Sequence, residues 1–213
     1  MPMNSDGKKI ILGMMEESID DVLQEHGFVR RQNSLLYSKK IENTKQKIEM
    51  FFNSYYASFM LINPFCSVSF PKINEIARAM TKNDPIFSSV INGMKNETLR
   101  QPVRQFSKSE SWVVEYGQER NELAPQIGTF LKQYTIPLLT ELECEDDFIK
   151  LYENQDKRIM WGDVQHIYVA SAYVLRNDYT RGLDVLERRF KKLGHRLHAT
   201  VFRYMQNLLE SNG

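Results

Sequence analysis

The amino-acid sequence predicts an α+β protein: an antiparallel sheet of about five strands with flanking helices, followed by a C-terminal helical bundle. Three observations carry this expectation. Residues 11–26 have apolar side chains at helical spacing, residues 28–70 hold β-compatible runs separated by turn-forming clusters, and beyond Cys144 the only period is helical. The expected organisation is a disordered leader over 1–7, an α+β domain over 8–143, and a helical subdomain over 144–213 packed on it.

In the first helix, Ile11, Met15, Ile19, Val22 and His26 share a stripe opposite Glu16, Glu17, Asp20, Asp21 and Glu25, and Gly27 marks the stop. Phe28–Arg31 and Leu35–Ile41 flank the turn cluster Gln32-Asn33-Ser34, the pattern of a hairpin. Residues 47–56 place Ile48, Met50 and Phe52 on one face of a third strand, and a fourth ends in Cys66–Phe70, where alternation is clean. Pro71 suits a helix N-terminus, where its missing N–H costs nothing, and Ile73, Ile76, Ala77 and Met80 supply the stripe. Residues 84–108 have no stable period and read as a loop with short helical turns. Trp112, Val114 and Tyr116 alternate with Val113 and Glu115, predicting a fifth strand that completes the sheet. Residues 123–142 read as a helix broken or kinked at Pro137.

After Cys144, Phe148, Leu151 and Tyr152 mark one helix, and Val164 to Leu175 another, with Asn177-Asp178 as the turn. Tyr179, Leu183, Leu186, Phe190 and Leu193 form the seam of a third helix, and Leu197, Val201, Tyr204 and Leu208 that of the last.

Composition excludes several function classes. Lys+Arg 28 against Asp+Glu 27 gives a formal charge of +1, so the whole chain is no polycation, and a charged partner must be read by a local patch. No apolar run approaches the roughly 18 residues of a membrane span, and no signal-peptide core is present; a cytoplasmic location is expected. Cys66 and Cys144 have no paired spacing and read as packing thiols of a reducing compartment.

The order of helix, Gly27-Phe28 with Arg30-Arg31, a strand bearing Tyr37, and the strand Ile48-Glu49-Met50-Phe51-Phe52-Asn53 resembles a bacterial family known as domain of unknown function 4304. The resemblance covers about the first two-thirds of the chain and implies an α+β fold; it transfers no active site. Small bacterial proteins of this look include immunity proteins encoded beside toxins. Residues 172–183 resemble a tetratricopeptide-type hairpin, of which the chain holds one convincing copy, short of the three or so that an array needs.

Chemistry-bearing motifs are scarce. The sequence has neither G-x-x-x-x-G-K, G-x-G-x-x-G nor G-x-S-x-G, so no cofactor and no catalytic set are predicted. His195 and His198 could share a helix face, but two ligands do not make a zinc site and Lys191, Lys192 and Arg196 would repel a cation; they read as helix-end histidines on a basic surface, and no metal is predicted. Asp163 after Gly162 reads as an N-cap, and His166 as a half-buried, satisfied histidine.

The most informative feature is charge segregation. Glu141 to Asp147 is acidic, whereas Arg181, Arg188 and Lys192 recur at helical spacing and, with Arg189 and Arg196, form a candidate partner-binding strip. The reading that follows is a non-enzymatic protein-binding module such as a toxin-immunity-type inhibitor. The alternatives are a nucleic-acid-associated protein using the strip, and an enzyme whose pocket draws on residues 84–108, where Arg100, Arg104 and Glu115 could converge.

Overall fold

The computed structural model describes residues 5–55, 59–94, 96–106, 112–115 and 122–212, and the fold is α+β. In chain order the elements are α1 (Ser5–Met14), a π turn (Met15–Ile19), α2 (Asp20–Glu25), β1 (Val29–Arg30), β2 (Leu36–Ile41), β3 (Thr44–Glu49), β4 (Phe52–Tyr55), β5 (Phe59–Ile62) and β6 (Phe65–Ser69). There follow α3 (Pro71–Thr81), α4 (Phe87–Gly93), β7 (Leu99–Pro102), a 3₁₀ turn (Val103–Phe106), β8 (Trp112–Glu115), α5 (Leu123–Phe130), a second π turn (Leu131–Thr135) and α6 (Ile136–Thr140). The chain ends with α7 (Glu145–Glu153), α8 (Asp163–Leu175), α9 (Tyr179–Leu197) and α10 (Ala199–Asn212).

Two compact units divide the chain, Met1–Val68 with Arg100–Glu141, and Ser69–Leu99 with Leu142–Gly213. The division is not the contiguous 8–143 and 144–213 partition expected from sequence, because α3 packs on α8 and α10 and draws residues 69–99 into the helical unit. Of the expected leader, Met1–Asn4 lie outside the described residues, while Ser5 already opens α1, with Asp6 favourably placed in its first turn.

In the first unit the antiparallel sheet runs in the order β1-β2-β3-β6-β7. The hairpin of β1 and β2 pairs Arg30 with Tyr37, and β2 pairs with β3 so that Tyr37 faces Ile48. Gly27, at φ +79°, closes α2: the Phe28 N–H donates to the Leu23 carbonyl and the Gly27 N–H to that of Gln24, which satisfies two orphan carbonyls. The strand expected over 47–56 is two strands in two sheets. A three-residue turn, in which the Phe51 N–H donates to the Glu49 carbonyl at 3.0 Å, redirects the chain between β3 and β4.

The second sheet has the order β4-β5-β8. Met60 opposite Val114 and Ile62 opposite Trp112 form its buried row. The strand at Trp112 therefore completes this small sheet, and the fifth strand of the larger one is β7, inside the segment expected to be a loop; Tyr116 lies outside the described residues. Helix 123–140 carries its irregularity ahead of Pro137 as a π turn, closed by the Ile136 N–H on the Leu131 carbonyl. Pro137 has no N–H to give, and the wider turn accommodates its ring without ending the helix.

The second unit centres on α8, where Ile167 to Tyr173 are all buried. Such a helix is apolar all round because neighbours cover it on several sides: α3, α7 and α9 pack against it. Gly182 on α9 permits one of these approaches, since a Cβ there would fall 2.7 Å from Met205 Cε and 3.2 Å from the Ala170 carbonyl oxygen. Asn177, at φ 60°, takes the left-handed position after α8, and Asp178 then caps α9 by accepting from the Arg181 N–H. Helix α9 is not straight: Lys191 has φ 52°, ψ −154°, which kinks it. Leu197, expected in the seam of the last helix, belongs to the end of α9 and is exposed.

Candidate functional site

A groove lined by several polar and charged groups lies within the helical unit. It has a volume of about 710 Å³ and is walled by Arg181, Asp184, Val185, Arg188 and Arg189 of α9, Tyr152 and Glu153 of α7 with Gln155 just beyond, and His166 and Tyr173 of α8. Three local features of the sequence aim these side chains. Steps of three and four from Arg181 through Asp184 to Arg188 put them on one face of α9. The left-handed Gln155, at φ 51°, ends α7 with the Asp156 N–H on the Leu151 carbonyl, so Tyr152 and Glu153 stand at a helix terminus. His166 sits in the first turn of α8, its Nδ1 2.7 Å from the Gly162 carbonyl oxygen.

The three arginines that the sequence singles out and the groove collects are each held by a carboxylate. Arg188 grips Asp184 through Nε at 2.9 Å and Nη2 at 2.6 Å. Arg189 reaches Asp163 with the same two nitrogens, at 2.7 and 2.6 Å. Arg181 lies 3.3 Å from Glu153 and 3.5 Å from Asp178. The exposed basic strip is thus a row of ion pairs. Arg196 is exposed and does not line the groove, because the kink at Lys191 interrupts the helical face; the Lys192 side chain lies outside the described residues.

Aromatic groups form the floor. The Tyr173 hydroxyl donates to Glu153 Oε1 at 2.7 Å, and burial together with that carboxylate pushes its pKa up to about 12. Tyr152 packs edge-on against Trp161 and His166, with centroids 5.2 and 5.6 Å away. Burial raises the Tyr152 hydroxyl above its ordinary value, partly opposed by Arg188. Burial lowers His166, and Arg189 adds to that, so its imidazole is neutral at pH 7; the contact with the Gly162 carbonyl then requires the proton on Nδ1 and leaves Nε2 an acceptor.

Other sequence candidates resolve differently. Asp163 is the first residue of α8 and not its N-cap, which is Gly162; its carboxylate serves Arg189 instead. His195 is half-exposed and stacks on Phe202 at 4.0 Å, whereas His198 is buried, contrary to the reading of both as surface histidines. Its Nδ1 lies 3.0 Å from Oδ2 of the fully buried Asp84, and its ring lies between Phe87 and Phe190. Asp84 is 114 positions away in sequence, and no periodicity reports such a partner. Among the described residues no group of three or more His, Cys, Asp or Glu could hold a metal ion.

Cys66 is buried, and desolvation raises its thiol to about 12. Cys144 is exposed and not a packing thiol: it caps α7, its Sγ donating to Asp147 Oδ2 at 3.0 Å. Arg100 stacks on Phe65 at 4.6 Å and pairs with Glu49 at 2.9 Å, and neither Arg100, Arg104 nor Glu115 lines the groove.

Asp20, Arg30 and Tyr37 build a closed network in the first unit. Arg30 meets Asp20 through Nε and Nη2, both at 2.7 Å, and the buried Tyr37 hydroxyl donates to Asp20 Oδ1 at 2.5 Å. With Arg30 and Asp20 side chains 8% and 16% exposed, this triad holds α2 to the hairpin and leaves little surface for a ligand. Among the described residues no helix is long and apolar enough to cross a membrane. No family model, curated protein or solved structure matches the chain.

Proposed function

We propose that the chain is a non-enzymatic protein-binding module, of the kind an immunity protein uses to neutralise a toxin, and that it engages its partner through the groove of the helical unit. The observation that supports this reading is the makeup of the groove: tyrosines and arginines, the residue types that dominate protein interfaces, with the arginines already oriented by carboxylates. A guanidinium held in place by its own chain loses little rotamer freedom on binding, and a neutralised one is cheaper to desolvate. The same pairing weighs against the nucleic-acid alternative, because a polyanion gains chiefly by replacing counterions on unpaired cations. The family resemblance of the first two-thirds of the chain belongs to this proposal.

The test is affinity capture with the full chain at moderate salt, beside a Tyr152→Ala/Arg188→Ala variant. One stoichiometric protein, retained by the parent and lost by the variant, is the expected result; toxicity of that protein alone, relieved by co-expression, establishes the immunity form. Retention of nucleic acid with an affinity slope near −0.9 per duplex phosphate contact in log salt would overturn the reading, as would a preparation with no partner.

A further inference from the structure

We propose that the chain exchanges its C-terminal segment, residues 192–212, with a second copy of itself: α9 straightens at Lys191, and α10 of each protomer docks on α3 and α9 of the other. The inference stands apart from the partner reading above, because every residue that lines the groove precedes the hinge and stays in place through the exchange.

The hinge is a backbone that its own sequence does not suit. Lys191 has φ 52° and ψ −154°, a region that glycine enters freely and a side chain does not, yet the glycine stands three positions later. The bend brings position 194 so close to Phe190 that a Cβ on Gly194 would fall 2.1 Å from Phe190 Cβ. In a straight helix, positions four apart keep their Cβ atoms about 5–6 Å from each other, so only the bent form needs glycine at 194. The apolar pattern, by contrast, suits a straight helix: the seam Tyr179, Leu183, Leu186, Phe190, Leu193, Leu197 runs on through the kink at steps of four, three, four, three and four. Bent, the chain leaves Leu197 47% exposed. The hinge itself thus favours a straight α9, and the bend is maintained by what lies beyond it.

Beyond it, Val201, Phe202 and Met205 of α10 are buried, and α10 packs on α3 and α9. Met205 Cε reaches the Gly182 notch, and His198 Nδ1 lies 3.0 Å from Asp84 Oδ2 with its ring between Phe87 and Phe190. Helical φ and ψ are about −63° and −42°, so straightening turns both dihedrals of Lys191 by roughly 110° and carries α10 away from this bed. Within one chain that uncovers the apolar side chains and leaves the fully buried Asp84 without His198. The segment shaped for the vacated surface is α10 of a second copy, which restores each contact across a twofold axis while neither hinge is bent. Strain at a hinge inside an otherwise satisfied fold is the condition that invites such an exchange.

The test is the oligomeric state of the full chain by sedimentation equilibrium, with two variants that push the hinge in opposite directions. A tethered segment meets its own docking surface at an effective concentration on the order of millimolar, and relief of each of the two kinks favours the exchanged form by about fivefold, so the dissociation constant is expected at about 50 μM. Lys191→Gly removes the strain and should weaken the dimer by about 25-fold. Gly194→Ala favours the straight helix and crowds Phe190 in the bent one, and should tighten the dimer by about 25-fold or more. A sample that mixes chains carrying ¹³C-methyl methionine with chains carrying ¹³C-glycine, at millimolar concentration, identifies the exchange: a nuclear Overhauser effect from the Met205 methyl to the Gly182 α protons is expected, and the two labels meet only between copies. A monomer throughout, a dimer that lacks this effect, or a dissociation constant that the two variants do not move in opposite directions overturns the proposal.

Discussion

Replacing Asp20 with Asn is the sharpest probe of the first unit. The amide is nearly isosteric and its oxygen can still accept from the Tyr37 hydroxyl, so the change chiefly removes the charge opposite Arg30. Arg30 is 8% exposed and retains only a 3.4 Å contact to Glu16, whose own side chain is 63% exposed. Breaking a buried pair from one side costs about 3–5 kcal/mol, and the residual Glu16 contact argues for the lower end, about 3 kcal/mol. Burial by itself would raise the Asp20 carboxyl, but the hydrogen bonds from Arg30 and Tyr37 outweigh it and hold the group below its ordinary range. A lowered carboxylate stabilises the fold fully above its unfolded pKa of about 3.9, and that contribution disappears as pH falls through the folded value. Urea unfolding in a Trp161→Phe background makes Trp112, in the first unit, the reporter. The difference between parent and Asp20→Asn should be constant from pH 7 to pH 5 and shrink below about pH 4. A difference under about 1 kcal/mol, or one that persists undiminished in acid, would refute the reasoning.

Three further outcomes are expected. Asp84→Ala strips acceptors from the N–H groups of Ile86 and Phe87 and from His198, and should cost the helical unit about 3 kcal/mol by Trp161 fluorescence in a Trp112→Phe background, whereas Asp84→Asn should cost less than half of that. Lys191→Gly relieves a backbone conformation that side chains disfavour and should stabilise the chain by about 1 kcal/mol; in an unkinked helix the same change would destabilise it by about 1 kcal/mol, so the sign of the shift in thermal midpoint decides whether α9 is bent. Burial and the Asp147 carboxylate raise the Cys144 thiol, so iodoacetamide should modify Cys144 more slowly at pH 7 than a free cysteine, and Asp147→Asn should quicken it, with Cys66 unmodified until the chain unfolds, as read by mass spectrometry of the digested protein.

What the sequence alone determined about this protein is whatever depends on neighbours along the chain. Gly27 ends a helix because its left-handed φ is needed there, Asn177-Asp178 turns α8 into α9 and caps the latter, and the spacing of Arg181 and Arg188 puts both on one helix face. Alternation identified strands but not their partners, since a period of two reports which face is buried and not which sheet buries it; hence Trp112–Glu115 reads correctly as a strand yet joins the smaller sheet. Leu99–Pro102 escaped notice because it is short and holds a proline. Only the tertiary structure decided the character of the groove. Asp163, at the start of α8, and Glu153, at the end of α7, lie 26 and 28 positions from the arginines they neutralise, and such pairings follow from how helices pack, which no local pattern encodes. The same holds for His198, a surface histidine by its basic neighbours and a buried one by the carboxylate of Asp84 brought against it.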